Sequence, residues 1–310
     1  MLLRQQGRTL VVHTPAKLNL FLEVLGKRTD GYHELETLMV SVGLYDTLRF
    51  TEEFSTLSGP ALSPKIRLRC RWAGARPYPF VPLPNDSDNL VVKAARLMLD
   101  FCGVARGATI ELRKRIPWAA GLAGGSSDAA ATLAALNRLW GLGLPDKQLL
   151  ELAARLGSDI GFFLARTPVA ICRGRGEQIE PVVMPMRLHF VISKPASGLS
   201  TGSVFRSAPA DRAAAELRSV LPLVHALRSG KLDTAARTLH NALQAPAELL
   251  NSDVIRLRDA YSRLPLFGHQ MSGSGTSYFG ICSQREQAGR LAAQLRSTGR
   301  DQVFVASTQP

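Results

Sequence analysis

Between residues 9 and 50 the chain runs in long apolar stretches with polar residues interleaved, broken by one turn-rich segment. TLVVH and LNLFLEVL predict strands, RTDGYH a turn, and ELETLMVSVGLYDTLRF one or two further strands. Residues 51–64 are polar and contain Gly59-Pro60, which predicts a loop. IRLRCRW alternates strictly, the pattern of a half-buried strand. Residues 73–88 carry four prolines and predict an irregular crossing, after which Asp88 stands as cap of an amphipathic helix through NLVVKAARLMLDFC. ATIELRKRI is again a strand. It leads into IPWAAGLAGGSSDAAA, where glycines and serines run directly into alanines, and the pattern predicts helices over 127–140 and from Pro145 to Leu156. GSDIGFFLA predicts a tight turn into a short element.

After about residue 166 the pattern changes. PVAICR and LHFVISK predict strands, and helices are expected over 209–227, 231–243 and 251–262. A strand–loop–strand, HQMSGSGTSYFGIC, then precedes a helix over 284–297 and a last strand, DQVFVAS. The chain therefore reads as α+β, with no internal repeat and no low-complexity tract.

Composition narrows this picture. At 310 residues the chain is long enough for two domains, and 45% hydrophobic with 20% charged residues is an ordinary globular balance. No apolar run approaches the length of a membrane-spanning helix, and arginines interrupt the apolar residues of MLLRQQGRTLVV, so neither a span nor a signal peptide is expected. The four cysteines form no CxxC pair; reduced thiols and a cytoplasmic protein are expected. The net charge of +13 is compatible with nucleic acid, an acidic membrane surface or a small polyanionic substrate. It reads first as an arginine-rich background composition, and charge alone decides little. The basic residues are scattered, however, and aromatics make up only 6%, so no nucleic-acid or membrane partner is expected.

Four stretches carry candidate chemistry. In residues 116–131 a strand ends in a glycine-rich loop that opens a helix. The first N–H groups of such a helix lack intrahelical partners, and glycines before them let the backbone approach an anion closely. Ser126 or Ser127 could cap the helix while the other hydroxyl faces a phosphate, with Lys114 and Arg115 adding positive charge. Neither GxxxxGK[ST] nor GxGxxG is present, and a simple capped helix is the alternative. In residues 14–38, Lys17 is either a snorkelling surface lysine or part of a polar cluster with Asn19, which shares its strand face. The DGYH turn offers Tyr32 as a stacking face and His33 as a directional hydrogen-bonding group. In LGSDIGFFLA, Asp159 reads as a helix cap or as a carboxylate held against the core. MSGSGTSYFG reads as a hairpin connection or as a backbone segment that closes over a ligand.

Taken together and in this order, PAKLNLFLEVLGKRTDGYHELETLM, IPWAAGLAGGSSDAAATLAALNRLW, GSDIGFF and MSGSGTSYFG resemble the GHMP kinase superfamily over nearly the whole chain. Within it they resemble the branch that acts on a cytidine diphosphate-linked methylerythritol in non-mevalonate isoprenoid precursor biosynthesis. The resemblance implies two domains. Residues 1–165 would form a ribosomal-protein-like ATP-binding domain with a left-handed βαβ crossover, an exception to the usual hand, and residues 166–310 a ferredoxin-like domain. It implies ATP and Mg²⁺ as cofactors, phosphorylation of the acceptor's 2-hydroxyl, and a monomer or weak homodimer.

Carried over residue by residue, Asp159 would accept the hydroxyl proton, with Lys17 beside it stabilising the charged carboxylate and the transferring group. Pro117, Ala119, Ala120, Gly121, Leu122, Ala123, Gly124, Gly125, Ser126 and Ser127 would wrap the ATP phosphates, with Asn89 and Lys114 near the adenosine. Asn19, Tyr32, His33 and Thr201 would bind the acceptor, Tyr32 stacking on the cytosine and His33 bonding its edge. Gly273 and Gly275 would close the site. Three departures stand out. Gly161 replaces a proline common in the family. Ala119, Ala120 and Ala123 stand where some members have glycine, which suits alanine at negative φ. Asp128, in the first helical turn, is expected to point away from phosphate. The same enzyme class with mevalonate, homoserine or a sugar as acceptor would have no use for a nucleobase clamp at DGYH. An RNA-binding relative would have no need to keep Lys17 and Asp159.

Overall fold

The computed structural model describes residues 1–53, 66–73, 83, 87–208 and 217–309. The expected loop at 51–64, the proline-rich crossing and the first half of the expected 209–227 helix fall largely outside them. The chain divides into two compact units, one of residues 1–16, 45–116 and 124–166, the other of residues 17–44, 117–123 and 167–310. Two long strands, β2 (Thr9–Lys27) and β3 (His33–Glu53), contribute a part to each.

In the first unit β1 (Leu2–Gln6) pairs antiparallel with the start of β2, from Leu2↔His13 to Gln6↔Thr9. The second half of β3 pairs antiparallel with β5 (Gly107–Lys114), and β5 pairs in parallel with β4 (Ile66–Trp72). β4 alternates as its sequence predicts, with Ile66, Leu68, Cys70 and Trp72 more enclosed than Arg67, Arg69 and Arg71. Between the parallel strands lies α1 (Leu90–Cys102), capped by the Asn89 side chain, which accepts from the Val91 amide at 3.0 Å. The cap is therefore Asn89 rather than Asp88, which is exposed and pairs with Lys93 at 3.6 Å. α2 (Gly124–Leu139) packs against α1 and against α4 (Ile160–Leu164), and α3 (Asp146–Leu156) packs on α4. Ala129, Ala130, Ala131 and Ala135 of α2 are wholly buried, so larger side chains there would overpack this core by about 1–3 kcal/mol each.

The second unit holds a four-stranded antiparallel sheet in the order β10 (Gly268–Met271), β11 (Tyr278–Cys282), β8 (His189–Pro195), β12 (Asp301–Ser307). Helices α9 (Ser252–Ser262) and α10 (Arg285–Arg296) pack on it, the α+β layer expected of the C-terminal half. Their apolar faces meet the sheet at Leu257, Tyr261, Leu291 and Ala292 against Val191, Tyr278 and Val303. The Tyr261 hydroxyl finds the Ser193 hydroxyl at 2.9 Å, which keeps this buried polar group paired. The first half of β3 pairs with β6 (Val169–Gly174), and β6 with β7 (Gln178–Pro181).

Three stretches here depart from the sequence pattern. A short helix, α5 (Thr201–Ser207), precedes residue 209, and the described part of the 209–227 segment holds α6 (Leu221–Arg228). The expected 231–243 helix stops at α7 (Leu232–Arg237) because His240 and Asn241 form β9, paired in parallel with Phe21 and Leu22 of β2. A further helix, α8 (Gln244–Leu250), follows. This pairing joins residues more than 200 positions apart, a tertiary pull that no local helix pattern contains.

Candidate active site

In the second unit β2 turns Lys17 and Asn19 to one face, as a two-residue spacing requires. Neither is a surface residue: Lys17 is 4% and Asn19 1% exposed. Lys17 Nζ donates to Asn19 Oδ1 at 2.5 Å, and Asn19 Nδ2 donates to Thr37 Oγ1 at 2.8 Å, so the amide is oriented with its carbonyl towards the cation. The Lys17 amide donates to the Leu122 carbonyl at 3.1 Å. A Cβ placed on Gly273 would lie 3.2 Å from Asn19 Oδ1, 3.3 Å from Lys17 Nζ and 3.4 Å from the Gly121 carbonyl oxygen. Lys17, Asn19, Gly121, Leu122 and Gly273 thus form one cluster in which glycine is required for close approach.

Within residues 117–123, Pro117, Ala120 and Leu122 are buried while Trp118 and Ala119 are exposed. Gly121 has φ +72°, and a Cβ there would come 2.0 Å from the Ser272 carbonyl oxygen. Ala119 and Ala123 also adopt positive φ, +48° and +52°. This corrects the expectation that alanine is accommodated here by negative φ: both residues hold the left-handed conformation that glycine adopts without a Cβ clash, a strain the surrounding loop must hold in place.

The DGYH turn is shaped by Asp30, whose Oδ1 accepts from the Tyr32 amide at 3.1 Å. Tyr32 is 53% exposed, and the Arg175 guanidinium lies over its ring, 4.7 Å from the centroid. The His33 ring stacks on Phe205 at 4.9 Å and 27°. Burial, then the positive charge of Lys27, pushes His33 below the ordinary histidine value, so at neutral pH its ring offers one donor and one acceptor. Thr201, which opens α5, meets the Ser274 hydroxyl at 2.9 Å, and Gly275 has φ +86°.

In the first unit α2 starts at Gly124, three residues earlier than its sequence suggested, so Gly125, Ser126 and Ser127 all lie in its first turn. Gly124 allows a close approach, since a Cβ there would meet Ile116 at 2.8 Å and Lys114 Nζ at 3.1 Å. Ser126 is partly exposed. Ser127 is fully buried, and its hydroxyl donates to the Pro15 carbonyl at 2.6 Å and meets the Thr14 hydroxyl at 2.5 Å. The Ser127 side chain therefore ties α2 to β2 instead of facing an anion. Asn89 uses its carbonyl oxygen to cap α1. Asp159 directly precedes α4 and is half-buried; its side chain makes no capping hydrogen bond, which removes the helix-cap alternative.

Lys114 differs most from its expected role. It is 2% exposed, and its ammonium donates to Asp46 and, at 2.7 Å, to Asp128. Asp46 Oδ1 also accepts from the amides of Arg115 at 2.5 Å and Ile116 at 2.9 Å. The charge of Lys114 is therefore neutralised inside the protein, directly behind the start of α2. Burial alone would lower its pKa, but the two carboxylates outweigh burial and hold it charged. Burial pushes the Asp128 carboxyl well above the usual range against the pull of Lys114, and Asp46 repels it further. Asp128 is turned into this cluster, and its Oδ1 has no hydrogen-bond partner among the described residues. Asp46 is a residue the sequence did not single out; it lies in a strand 68 residues before Lys114.

Among the described residues no helix is long and apolar enough to cross a membrane. No group of three or more His, Cys, Asp or Glu that could hold a metal ion occurs among them either.

Residues 89–166 match the GHMP kinases N terminal domain, and residues 223–301 match GHMP kinases C terminal. The chain is 38% identical over 300 residues to 4-diphosphocytidyl-2-C-methyl-D-erythritol kinase of Pelotomaculum thermopropionicum, covering 94% of this chain and 96% of the relative. It is 37% identical over 299 residues to the kinase of the same name from Symbiobacterium thermophilum, again covering 94% and 96%. A crystal structure of 4-(cytidine 5'-diphospho)-2C-methyl-D-erythritol kinase superposes with a TM-score of 0.75 at 32% identity, covering 97% of this chain and 100% of that one. With both halves of the fold matched and relatives aligned over almost its full length, this chain belongs to the 4-diphosphocytidyl-2-C-methyl-D-erythritol kinase family of the GHMP kinases.

Proposed function

We propose that this chain transfers the γ-phosphoryl group of ATP to the 2-hydroxyl of 4-diphosphocytidyl-2-C-methyl-D-erythritol, giving the 2-phosphate and ADP in non-mevalonate isoprenoid precursor biosynthesis. The observation that carries this reading is the second unit's cluster, where Lys17 and Asn19 meet Gly121 and Leu122 on one side and Gly273 on the other. A buried ammonium beside a glycine-rich backbone suits a transferring phosphoryl group, because such transfer depends on positioning and electrostatic stabilisation.

In the step itself, the acceptor oxygen forms a bond to the γ-phosphorus as the bond to the bridging oxygen breaks and ADP leaves. The hydroxyl proton passes to Asp159. Lys17 stabilises charge on the transferring group, and Asn19 fixes the ammonium's direction through its carbonyl oxygen. The backbone of residues 117–125, with Ser126, wraps the phosphates. Lys114 and Ser127 act here through structure: the ion cluster and the tie to Pro15 set where α2 begins. Asn89 does the same by capping α1. Tyr32 stacks on the cytosine, backed by Arg175, and neutral His33 bonds the base edge. Thr201 and Gly275 line the acceptor side.

Magnesium, arriving with ATP, would neutralise phosphate charge. Such ions take most of their oxygens from phosphate and water, so a site needs only one or two protein carboxylates. The reading divides the chain into an ATP-binding domain over 1–165 and a C-terminal domain over 166–310. It places the enzyme in the cytoplasm, where thiols such as Cys70, Cys102, Cys172 and Cys282 stay reduced. Substituting Asp159→Asn tests the assignment of the base: turnover is expected to collapse while ATP still binds, and near-normal turnover would remove Asp159 from that role.

A further inference from the structure

Ser272 and Gln270 carry no assigned role, yet both are buried beside the cluster, at 0% and 4% exposure. Ser272 Oγ donates to the Gly121 carbonyl at 3.0 Å and accepts from the Asn19 amide at 3.3 Å. Gln270 Nε2 donates to the Asn19 carbonyl at 2.9 Å. Both backbone polar groups of Asn19 are thus gripped by side chains from one three-residue segment. That segment is itself fixed, because Asn241 Nδ2 donates to the carbonyls of Met271 and Gly273, each at 2.9 Å. Ser277 adds a backbone bond to the Ala120 carbonyl at 3.1 Å, and the Ser272 carbonyl packs so closely on Gly121 that no Cβ fits between them.

We infer that Ser272 and Gln270 are positioning residues for phosphoryl transfer, locking the Lys17–Asn19 segment and the Ala120–Leu122 backbone into one rigid body. The inference rests on the reading of Lys17 as a catalytic group. Its logic is geometric. The ammonium of Lys17 is aimed by Asn19 Oδ1, so the Asn19 backbone sets where positive charge meets the transferring group. The same Ser272 hydroxyl holds the phosphate-loop carbonyl, so it couples donor placement to lysine placement. A displacement near 1 Å at such a site costs on the order of a hundredfold in rate.

The test compares Ser272→Thr with Ser272→Val, which differ only in the hydroxyl, alongside Gln270→Met. Each is measured as kcat per folded molecule, with KM for ATP and for the acceptor. Ser272→Val is expected to lose on the order of tenfold or more in kcat relative to Ser272→Thr, with both KM values changing less. Gln270→Met is expected to fall in the same direction. A merely structural role would lower the melting temperature and leave the kcat of folded molecules untouched. Equal kcat for the Thr and Val variants, with Gln270→Met at the parental rate, would overturn the inference. Should neither variant at 272 fold, Gln270→Met alone decides. Lys17→Met separates the two layers. If it turns over normally, the assignment of Lys17 fails. If it is inactive while Ser272→Val and Gln270→Met run at full rate, only the positioning inference fails.

Discussion

The two units hold their functional segments by different physics. In the first, the strand end before the glycine loop and the opening turn of α2 are joined by a buried ion cluster of Asp46, Lys114 and Asp128. In the second, Lys17 and the two glycine-bearing segments are held by neutral groups: the Asn19 amide, the Ser272 hydroxyl, and the Gln270 and Asn241 amides. The contrast has a physical reason. Neutral hydrogen bonds fix where a group points without adding a new charge to the field around it. A cation that serves as a rivet can be neutralised at once. Lys17 and Lys114 are almost equally buried; Asn19 orients the first, and Asp46 and Asp128 rivet the second.

The sharpest break of this contrast is kinetic. Asp159→Asn in the first unit is expected to lower kcat by about 10²–10⁴, the usual reach of a general base, with the Kd for ATP changed little. Steady-state turnover alongside nucleotide binding checks it.

Next comes stability. Asp46→Ala strands the Arg115 and Ile116 amides and leaves Lys114 with Asp128 alone, so a loss of about 3–5 kcal/mol is expected in denaturant unfolding. Combining Asp46→Asn with Lys114→Met and Asp128→Asn should recover much of it, because no buried charge is then left without a partner. No recovery would mean that the cluster does more than rivet.

A smaller effect is expected on the neutral side. Asn241→Ala removes two donors to backbone carbonyls and the acceptor for the Leu243 amide, for about 1–3 kcal/mol. A cost equal to that of Asp46→Ala would erase the distinction between the two modes of anchoring. Tyr32→Ala is expected to match Asn241→Ala in size: loss of base stacking, about 1–3 kcal/mol, should raise the acceptor KM while leaving the KM for ATP near its parental value. Equal shifts in both would place Tyr32 outside the acceptor site.

Much of this arrangement was legible in the chain. Two-residue spacing put Lys17 with Asn19, the alternation of IRLRCRW gave β4, and MSGSGTS between apolar runs gave the β10–β11 connection. What stayed hidden was non-local. Nothing around Asp46, one of several polar residues in β3, marks it as the partner of a lysine 68 positions later. Lys114 beside a glycine loop read as positive charge available to an anion because the sequence does not show what neutralises it. Ser272 looked like a turn residue because its two partners come from residues 19 and 121. The positive φ at Ala119 and Ala123 runs against alanine's own preference, so only the folded loop reveals it. The helix expected over 231–243 was cut short by pairing with β2, another long-range effect.

The most direct test of the whole account is an ADP-release assay with ATP and three acceptors in parallel: 4-diphosphocytidyl-2-C-methyl-D-erythritol, homoserine and mevalonate. The account predicts turnover with the cytidylyl acceptor and background rates with the other two, since only the first can engage Tyr32 and His33. Comparable turnover of homoserine or mevalonate, or none with the cytidylyl acceptor, would contradict it.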